Sequence, residues 1–357
     1  VLIKGLGIGG AERVVGEGSR CWDRDAFAYR VAYVLPWKDQ LVGDLEGRDI
    51  PVTCLGAGRT ARGATWRLRR LVREWRPDLV HAHLPATGIM ARLVGGAPVV
   101  YTEHNVASSY RLPTRLANFA TYARNRAVIA VSEAVAASLR GYPGPEPRVV
   151  PNGVWVEVED GIRERIRAEL GIEGARPLVV HVGNIRPGKG HDDLVAATVE
   201  LAGRIPEVAV VSVGVEKRPG DLARLRSAAA TAGVGGTLRF LGRRADAVSI
   251  IAAADVFVNP SRIEGLPLVV LEAMFVGTPV VATAAGGVPS VVRDGDTGRL
   301  VPVGDPAALA AAVAEQLEDR SRARAMAHRA EALVRERHGV GRMVTANEAV
   351  YREVLGG

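Results

Sequence analysis

Two carboxylates, Glu264 and Glu272, flank an expected helix start in the segment Asn259-Pro260-Ser261-Arg262-Ile263-Glu264-Gly265-Leu266-Pro267-Leu268-Val269-Val270-Leu271-Glu272. The run from Asp255 to Asn259 reads as a buried strand that opens into a loop. Gly265 suits a cap, and Pro267 suits the first helical turn, where its missing N–H costs nothing. A helix start offers backbone N–H groups and the positive end of a dipole, which together make an anion site. Helical side chains lean toward the N-terminus, so Glu272 points back at such an anion. A phosphate on main-chain amides, with carboxylates facing hydroxyls on either side, is what a nucleotide-sugar requires. A solvated helix would also tolerate two glutamates at this spacing. Here, however, the neighbours of Glu272 are apolar, and burying a carboxylate among them costs free energy unless a partner meets it.

A second candidate is cationic. Lys189 lies in Pro187-Gly188-Lys189-Gly190, and Arg186 precedes it. Flanking glycines let a main chain and an ammonium approach oxygen closely. Two solvated loop cations are the plainer alternative. A third candidate is His104 in Tyr101-Thr-Glu-His-Asn105, at the end of an expected strand. It could bond a sugar, handle a proton, or serve only as a strand-end residue. His81 and His83 also end a strand and read first as structural.

These residues need a scaffold. Short β-branched runs at 29–35, 51–55, 78–83, 98–104, 128–132 and 148–151 alternate with helical stretches. A second series follows at 178–183, 208–214, 238–242, 256–259, 279–283 and 299–303. Strands alternating with helices imply parallel sheets covered on both faces, and two series imply two doubly wound α/β domains. Pro151-Asn152-Gly153-Val154 is the expected hinge, because Asn-Gly marks a turn. The division is therefore 1–153, 154–340 and a terminal helix in 341–357. Asp305-Pro306 should cap a helix beginning near Ala307. Ligands of open parallel sheets collect beyond the carboxyl ends of the strands. Gly183-Asn184, Gly214, Leu241-Gly242, Ser261, Thr283, His104 and Ser132 all fall there. The two rows of strand ends are expected to face each other across a cleft.

The E-G-x-P-x-x-x-x-E pattern of Glu264–Glu272 resembles the signature of retaining glycosyltransferases with two Rossmann-like domains, the GT-B fold of family four, also called group 1. Gly9-Gly10-Ala11-Glu12-Arg13, Val182-Gly183-Asn184-Ile185-Arg186-Pro187-Gly188-Lys189-Gly190 and Gly277-Thr278-Pro279-Val280-Val281-Ala282-Thr283 agree, in order, over nearly the whole chain. The resemblance implies an acceptor-side domain at 1–153 and a nucleotide-sugar domain at 154–340. It also implies that the helix in 341–357 packs back on the first domain. Glu272 is assigned to the ribose hydroxyls and Glu264 to those of the donor sugar. Carboxylates are acceptor-only and suit diols, and a helix N-terminus favours an ionised Glu264 over a general acid. The main chain from Gly265 and Leu266 to Val269 would hold the diphosphate, with Lys189. The family's arginine beside the glycine is replaced here by Asn184, and Arg186 is displaced by two. Leu241-Gly242-Arg243 resembles the base-binding turn. Gly9 and Gly10 would open the first helix near the donor phosphates, Arg13 would face the acceptor, and His104 would lie near the transferred sugar. Front-face substitution follows, with the departing phosphate taking the acceptor's proton. The implied function is hexosyl transfer from a UDP- or GDP-sugar to a glycan, lipid-linked or small hydroxyl acceptor in envelope or exopolysaccharide synthesis.

Composition bounds the partners. The 357 residues suffice for two cores, and 48% hydrophobic with 24% charged residues is ordinary for a folded cytosolic protein. Cys21 and Cys54 have no metal-ligand spacing and suggest a reducing compartment. The start, Val1-Leu-Ile-Lys-Gly, reads as trimmed within a first strand and turns glycine-rich too soon for a signal peptide. Residues 265–292 carry one charge, Glu272, but glycines and three prolines divide them into a helix and a strand rather than a membrane span. The net charge of +7 is uneven: residues 1–150 hold 21 Lys+Arg against 13 Asp+Glu. The excess sits mainly in Arg59–Arg76 and Arg111–Arg126. Leu68, Leu71, Val72 and Trp75 fall at helical spacing among arginines. That helix either packs on its own domain or meets an anionic membrane or acceptor. No zinc-ligand, RNA-stacking or recognition-helix pattern accompanies the charge, so nucleic acid is not expected.

Gly5-Leu-Gly7-Ile-Gly9-Gly10 matches G-x-G-x-x-G, but the next strand ends at Leu35-Pro36-Trp37 without the acid a dinucleotide needs. Asp23-Arg24-Asp25 and Asp294-Gly295-Asp296 read as surface turns, and neither a metal nor a cofactor is expected. A hydrolase would need two carboxyls facing one glycosidic bond. The remaining rivals are a GT-B-fold epimerase or phosphorylase and a catalytically silent sugar-nucleotide-binding partner protein.

Overall fold

The computed structural model describes residues 1–56 and 61–356; Arg59 of the arginine-rich stretch lies outside them. The chain divides into two compact units, Val1–Trp155 with His338–Gly357, and Val156–Arg337. The first unit runs β1 (Leu2–Ile3), α1 (Gly10–Gly18), β2 (Val31–Tyr33), α2 (Val42–Glu46), β3 (Val52–Cys54), α3 (Ala61–Trp75), β4 (Val80–His83), α4 (Pro85–Val94), β5 (Val99–Glu103), α5 (Leu112–Thr121), β6 (Ala127–Ala130), α6 (Glu133–Ser138) and β7 (Pro147–Val149). Its strands are parallel in the order β3-β2-β1-β4-β5-β6-β7. Alternation in β1 sends Leu2 into the core beneath α3 and α4 and Ile3 into the core with Val15 and Leu45 on the other face.

The second unit runs α7 (Ile162–Glu169), β8 (Leu178–Val182), α8 (His191–Arg204), β9 (Ala209–Val213), α9 (Asp221–Thr231), β10 (Leu238–Gly242), α10 (Ala247–Ala252), β11 (Val256–Asn259), α11 (Leu268–Phe275), β12 (Val280–Thr283), β13 (Arg299–Val301), α12 (Pro306–Glu318) and α13 (Arg320–Arg337). Its six strands are parallel in the order β10-β9-β8-β11-β12-β13. Val179, Val210, Val256 and Val258 pack with Leu194, Leu201, Leu225 and Leu309 in one core. Asp305 caps α12 by accepting from the Ala308 amide at 2.9 Å, with Pro306 in the first turn.

Strand order reverses between β1 and β4 in the first unit and between β8 and β11 in the second. In open parallel sheets such switch points leave crevices where ligands bind. The second reversal therefore lies between the segment bearing Lys189 and the one bearing Glu264.

The final helix, α14 (Val340–Gly356), belongs to the first unit. Val154 donates to the His338 carbonyl at 2.8 Å, and Val340 donates to that of Val154 at 3.2 Å. Gly153 is required here, since a Cβ would press on the Val340 backbone. Farther along, Glu348 accepts from the Asp23 amide (2.9 Å) and the Tyr29 hydroxyl (2.7 Å).

The stripe of α3 faces its own sheet except at Trp75, which is exposed. Leu68 and Val72 are buried with Ala82 and Val99, and Leu71 packs beside them. The exposed apolar row lies instead on α5, where Leu112, Leu116 and Phe119 stand 60%, 60% and 45% exposed. No helix among the described residues is long and apolar enough to cross a membrane.

Candidate active site

In the second unit, the turn after β8 closes through the Lys189 amide on the Arg186 carbonyl (3.2 Å). Gly190 then starts α8 at φ +68°, and a Cβ there would run into the Pro260 carbonyl oxygen. Arg262 and Ile263 donate their amides to the Gly188 carbonyl at 2.8 and 3.3 Å. From the other side Gly286, at φ +55°, lets the loop after β12 press on the Glu264 carbonyl, and Gly287 donates to that of Gly265 (2.9 Å). Glycines on two flanking loops thus fix the backbone that carries Glu264.

The side chains meet within this frame. Lys189 Nζ donates to Glu264 Oε1 at 2.6 Å, with the two side chains 15% and 7% exposed. An ammonium has three donors, so Lys189 keeps capacity for a further oxygen. Glu272 is buried in the second turn of α11, whose N-cap is Pro267. The amides of Leu268 and Val269 have no carbonyl partner among the described residues, and the dipole of α11 adds positive potential there. Asp193 holds Arg262 through a two-armed ion pair (2.6 and 2.8 Å), strapping α8 to the loop before Glu264.

Arg186 does not join this group. It is exposed and lines a cavity of about 230 Å³ with His191, Asp192, Arg224 and Arg262. Asn184 turns toward the loop after β9, where its Oδ1 accepts from the Val215 amide at 3.4 Å. Leu241 sits at an irregularity in β10, and Gly242, at φ +71°, accepts from the Gly214 amide (2.8 Å). Gly214 itself packs against the Gly183 carbonyl, so the ends of β8, β9 and β10 are locked together.

In the first unit, Gly9 caps α1 and Glu12 folds back over it, where a Cβ would collide with the carboxylate. Lys38 pairs with that carboxylate at 2.9 Å. Gly10 has open space around it. Arg13 is tied to Glu17 at 2.6 Å. His104 is 7% exposed, and its Nε2 lies 2.9 Å from His83 Nδ1. Burial lowers the His104 pKa to about 4 and that of His83 well below its usual value, so both are neutral at pH 7. Glu103 anchors the turn: its carboxylate accepts from the Tyr101 and Tyr110 hydroxyls (2.5 and 2.6 Å) and from the His104 amide (3.0 Å). Burial outweighs these bonds and raises its pKa to about 7.

Three features of the site are additions to what the sequence predicts: the His83–His104 contact, the Glu103 anchor and the Asp193–Arg262 strap. His81 and His83 two apart on one strand carried a signal, since that spacing puts both on one face. The pairing of Asp193 with Arg262, distant in sequence, carried none.

Residues 162–333 match the family of Glycosyl transferases group 1, and residues 8–158 match Glycosyltransferase Family 4. The α-maltose-1-phosphate synthase of Mycolicibacterium smegmatis is 35% identical over 297 residues, covering 71% of this chain and 76% of that protein. The chain belongs to the glycosyl transferases group 1 family. Its relatives at this level of identity support hexosyl transfer. The D-inositol 3-phosphate glycosyltransferase of Acidothermus cellulolyticus is 33% identical over 276 residues, or 69% of this chain and 61% of its own length. Solved structures share the fold. Anabaena HepE, solved with UDP and glucose, superposes with a TM-score of 0.87 at 23% identity, covering 99% of this chain and 98% of that one. The sucrose-phosphate synthase of Thermosynechococcus elongatus gives 0.85 at 22%, with coverage of 99% and 98%. Both neighbours support two parallel-sheet Rossmann-like domains of the GT-B type.

Proposed function

We propose that this family member moves a hexosyl group, with retention, from a UDP- or GDP-linked donor to a hydroxyl of a glycan or lipid-linked acceptor. The Lys189–Glu264 pair beside the N-terminus of α11, at the strand-order reversal of the second unit, carries the proposal. Breaking the sugar–phosphate bond loads charge onto the leaving oxygen, and catalysis requires that charge to be held more tightly than the ground state. Lys189 and the Leu268 and Val269 amides meet that need without reorganising. Glu264, ionised beside Lys189, accepts from hydroxyls of the donor sugar. Glu272 accepts from the ribose, and the turn at Leu241 and Gly242 receives the base. The first unit serves the acceptor, with neutral His104 bonding the transferred sugar while the leaving phosphate takes the acceptor's proton. A UDP-linked donor is in keeping with the structural neighbour Anabaena HepE, which has been solved in complex with UDP-glucose.

We further propose work at the cytoplasmic face of an anionic membrane, in envelope or exopolysaccharide synthesis. Support comes from α5, where Leu112, Leu116 and Phe119 line one face, with exposed Arg115 on that helix, exposed Arg111 at its cap and exposed Arg124 and Arg126 in the segment that follows. Apolar residues flanked by arginines suit the boundary between headgroups and acyl chains.

The test is a thermal-shift and hydrolysis screen across UDP-, GDP- and ADP-sugars, with and without EDTA. One UDP- or GDP-sugar should raise the melting temperature and be slowly hydrolysed, with retained configuration and no loss in EDTA. No shift and no hydrolysis with any donor would refute the reading.

A further inference from the structure

Two further histidines form a row of rings with His104. His81 and His83 project from the same face of β4, and His83 ends that strand. The His81 ring is held at both nitrogens, with Nδ1 2.5 Å from the Tyr351 hydroxyl of α14 and Nε2 2.6 Å from Thr102 Oγ1. It lies 4.2 Å from the His83 ring, centroid to centroid, and the His83 ring lies 5.2 Å from that of His104. His83 is therefore backed by a ring that is itself pinned, and it meets His104 through one nitrogen of each, at 2.9 Å.

We infer that His83 is a positioning residue, one that commits His104 to a single tautomer and ring orientation. The inference rests on the reading above that His104 meets the transferred sugar. Both rings are neutral, so their shared bond contains one hydrogen. If His83 Nδ1 supplies it, His104 bears its own hydrogen on Nδ1 and offers a donor there. If His104 Nε2 supplies it, Nδ1 offers a lone pair. Either way, the bond at Nε2 decides what the opposite nitrogen presents, as happens whenever one ring nitrogen is fixed. A mixture of tautomers would leave part of the population with the wrong group toward the sugar.

The experiment uses three substitutions and two readouts. An asparagine amide stands where Nδ1 stands, whereas a glutamine amide reaches the place of Nε2. Thus His83→Asn preserves the bond to His104, while His83→Gln and His83→Ala remove it. Nitrogen-15 spectra of histidine-labelled protein should show one His104 tautomer in the wild type and in His83→Asn, and a mixture in the other two. Transfer kcat should fall about 10- to 100-fold in His83→Ala and His83→Gln, with donor KM little changed, and stay within about threefold in His83→Asn. Asn and Gln are alike in polarity, so a general packing defect would affect both. Equal losses in the two, or an unchanged His104 tautomer in His83→Ala, would overturn the inference. A separate His104→Ala variant with wild-type transfer would instead refute the role given to His104, whatever the spectra of the His83 series show.

Discussion

Replacing Lys189 with alanine strips the counter-ion from a carboxylate whose side chain is 7% exposed. Removing one partner of a buried ion pair costs about 3–5 kcal/mol, because the other charge stays desolvated. Lys189 is itself 15% exposed, so some water reaches the site and the lower end, about 3 kcal/mol, is expected. For a domain of this size each kcal/mol lowers Tm by about 2–4 °C, giving a drop of roughly 6–12 °C in Lys189→Ala. Glu264→Gln should cost less, since the ammonium it leaves behind can turn toward water. The double variant Lys189→Ala with Glu264→Gln has no stranded charge and should recover most of the loss, with a coupling of about 2 kcal/mol. Activity should not recover. Loss of one preorganised electrostatic contact lowers kcat by about 10²–10³, and the double variant lacks both groups. The assay pairs calorimetric melting of all four proteins with donor turnover. A Lys189→Ala protein that melts within about 2 °C of wild type, with negligible coupling, would refute the buried pair. Turnover restored in the double variant would refute its role in the reaction.

Three further outcomes follow from the geometry. Gly286→Ala forces a Cβ into the Glu264 carbonyl at φ +55°, while Gly304 is open at φ +77°; Gly304→Ala should lose about 1–2 kcal/mol to left-handed strain alone, Gly286→Ala should lose more, and donor affinity in a titration should fall only for Gly286→Ala. Stability should drop as pH falls below 6.5, because burial depresses His181 well below its usual value and His191 to about 4 in the second unit. The unfolded chain takes up those protons first, costing up to about 1.4 kcal/mol per histidine per pH unit. In the first unit His81, His83 and His104 act in the same sense, while Glu103, raised to about 7, opposes one of them between pH 4.5 and 7. Urea melts that show no loss between pH 7 and 5 would contradict this. On liposomes containing anionic lipid, replacing Leu112, Leu116 and Phe119 with serine should abolish pelleting, and replacing Arg67, Arg69, Arg70 and Arg73 with glutamine should weaken it little; the reverse pattern would move the membrane face from α5 to α3.

Periodicity made the sheets legible. The expected run at 256–259 coincides with β11, and the run at 178–183 ends one residue past β8, because β-branched residues alternate with helical stretches throughout. Spacing also marked Glu264, Glu272 and Lys189 separately, since each needs only its own loop or helix start. Their meeting was not legible: Lys189 and Glu264 lie 75 positions apart, and their loops are brought together by the close approach at Gly190, the Arg262 and Ile263 amides on the Gly188 carbonyl and the Asp193–Arg262 pair. Arg186 shows the limit of counting along a loop, because the turn closed on its own carbonyl leaves its side chain with Arg224 and Arg262. For α3, helical spacing identified Leu68 and Val72 but not the direction they face, which strand β4 and its neighbours decide. The apolar row of α5 went unread because its leucines look like core residues until the fold leaves them outside.

The most direct test is a crystal structure of the protein with the donor that the screen selects. A diphosphate oxygen is expected within about 3.2 Å of Lys189 Nζ and of the Leu268 or Val269 amide, with the ribose hydroxyls at Glu272 and the sugar at Glu264. A donor bound in order but away from Lys189 and both glutamates would contradict it.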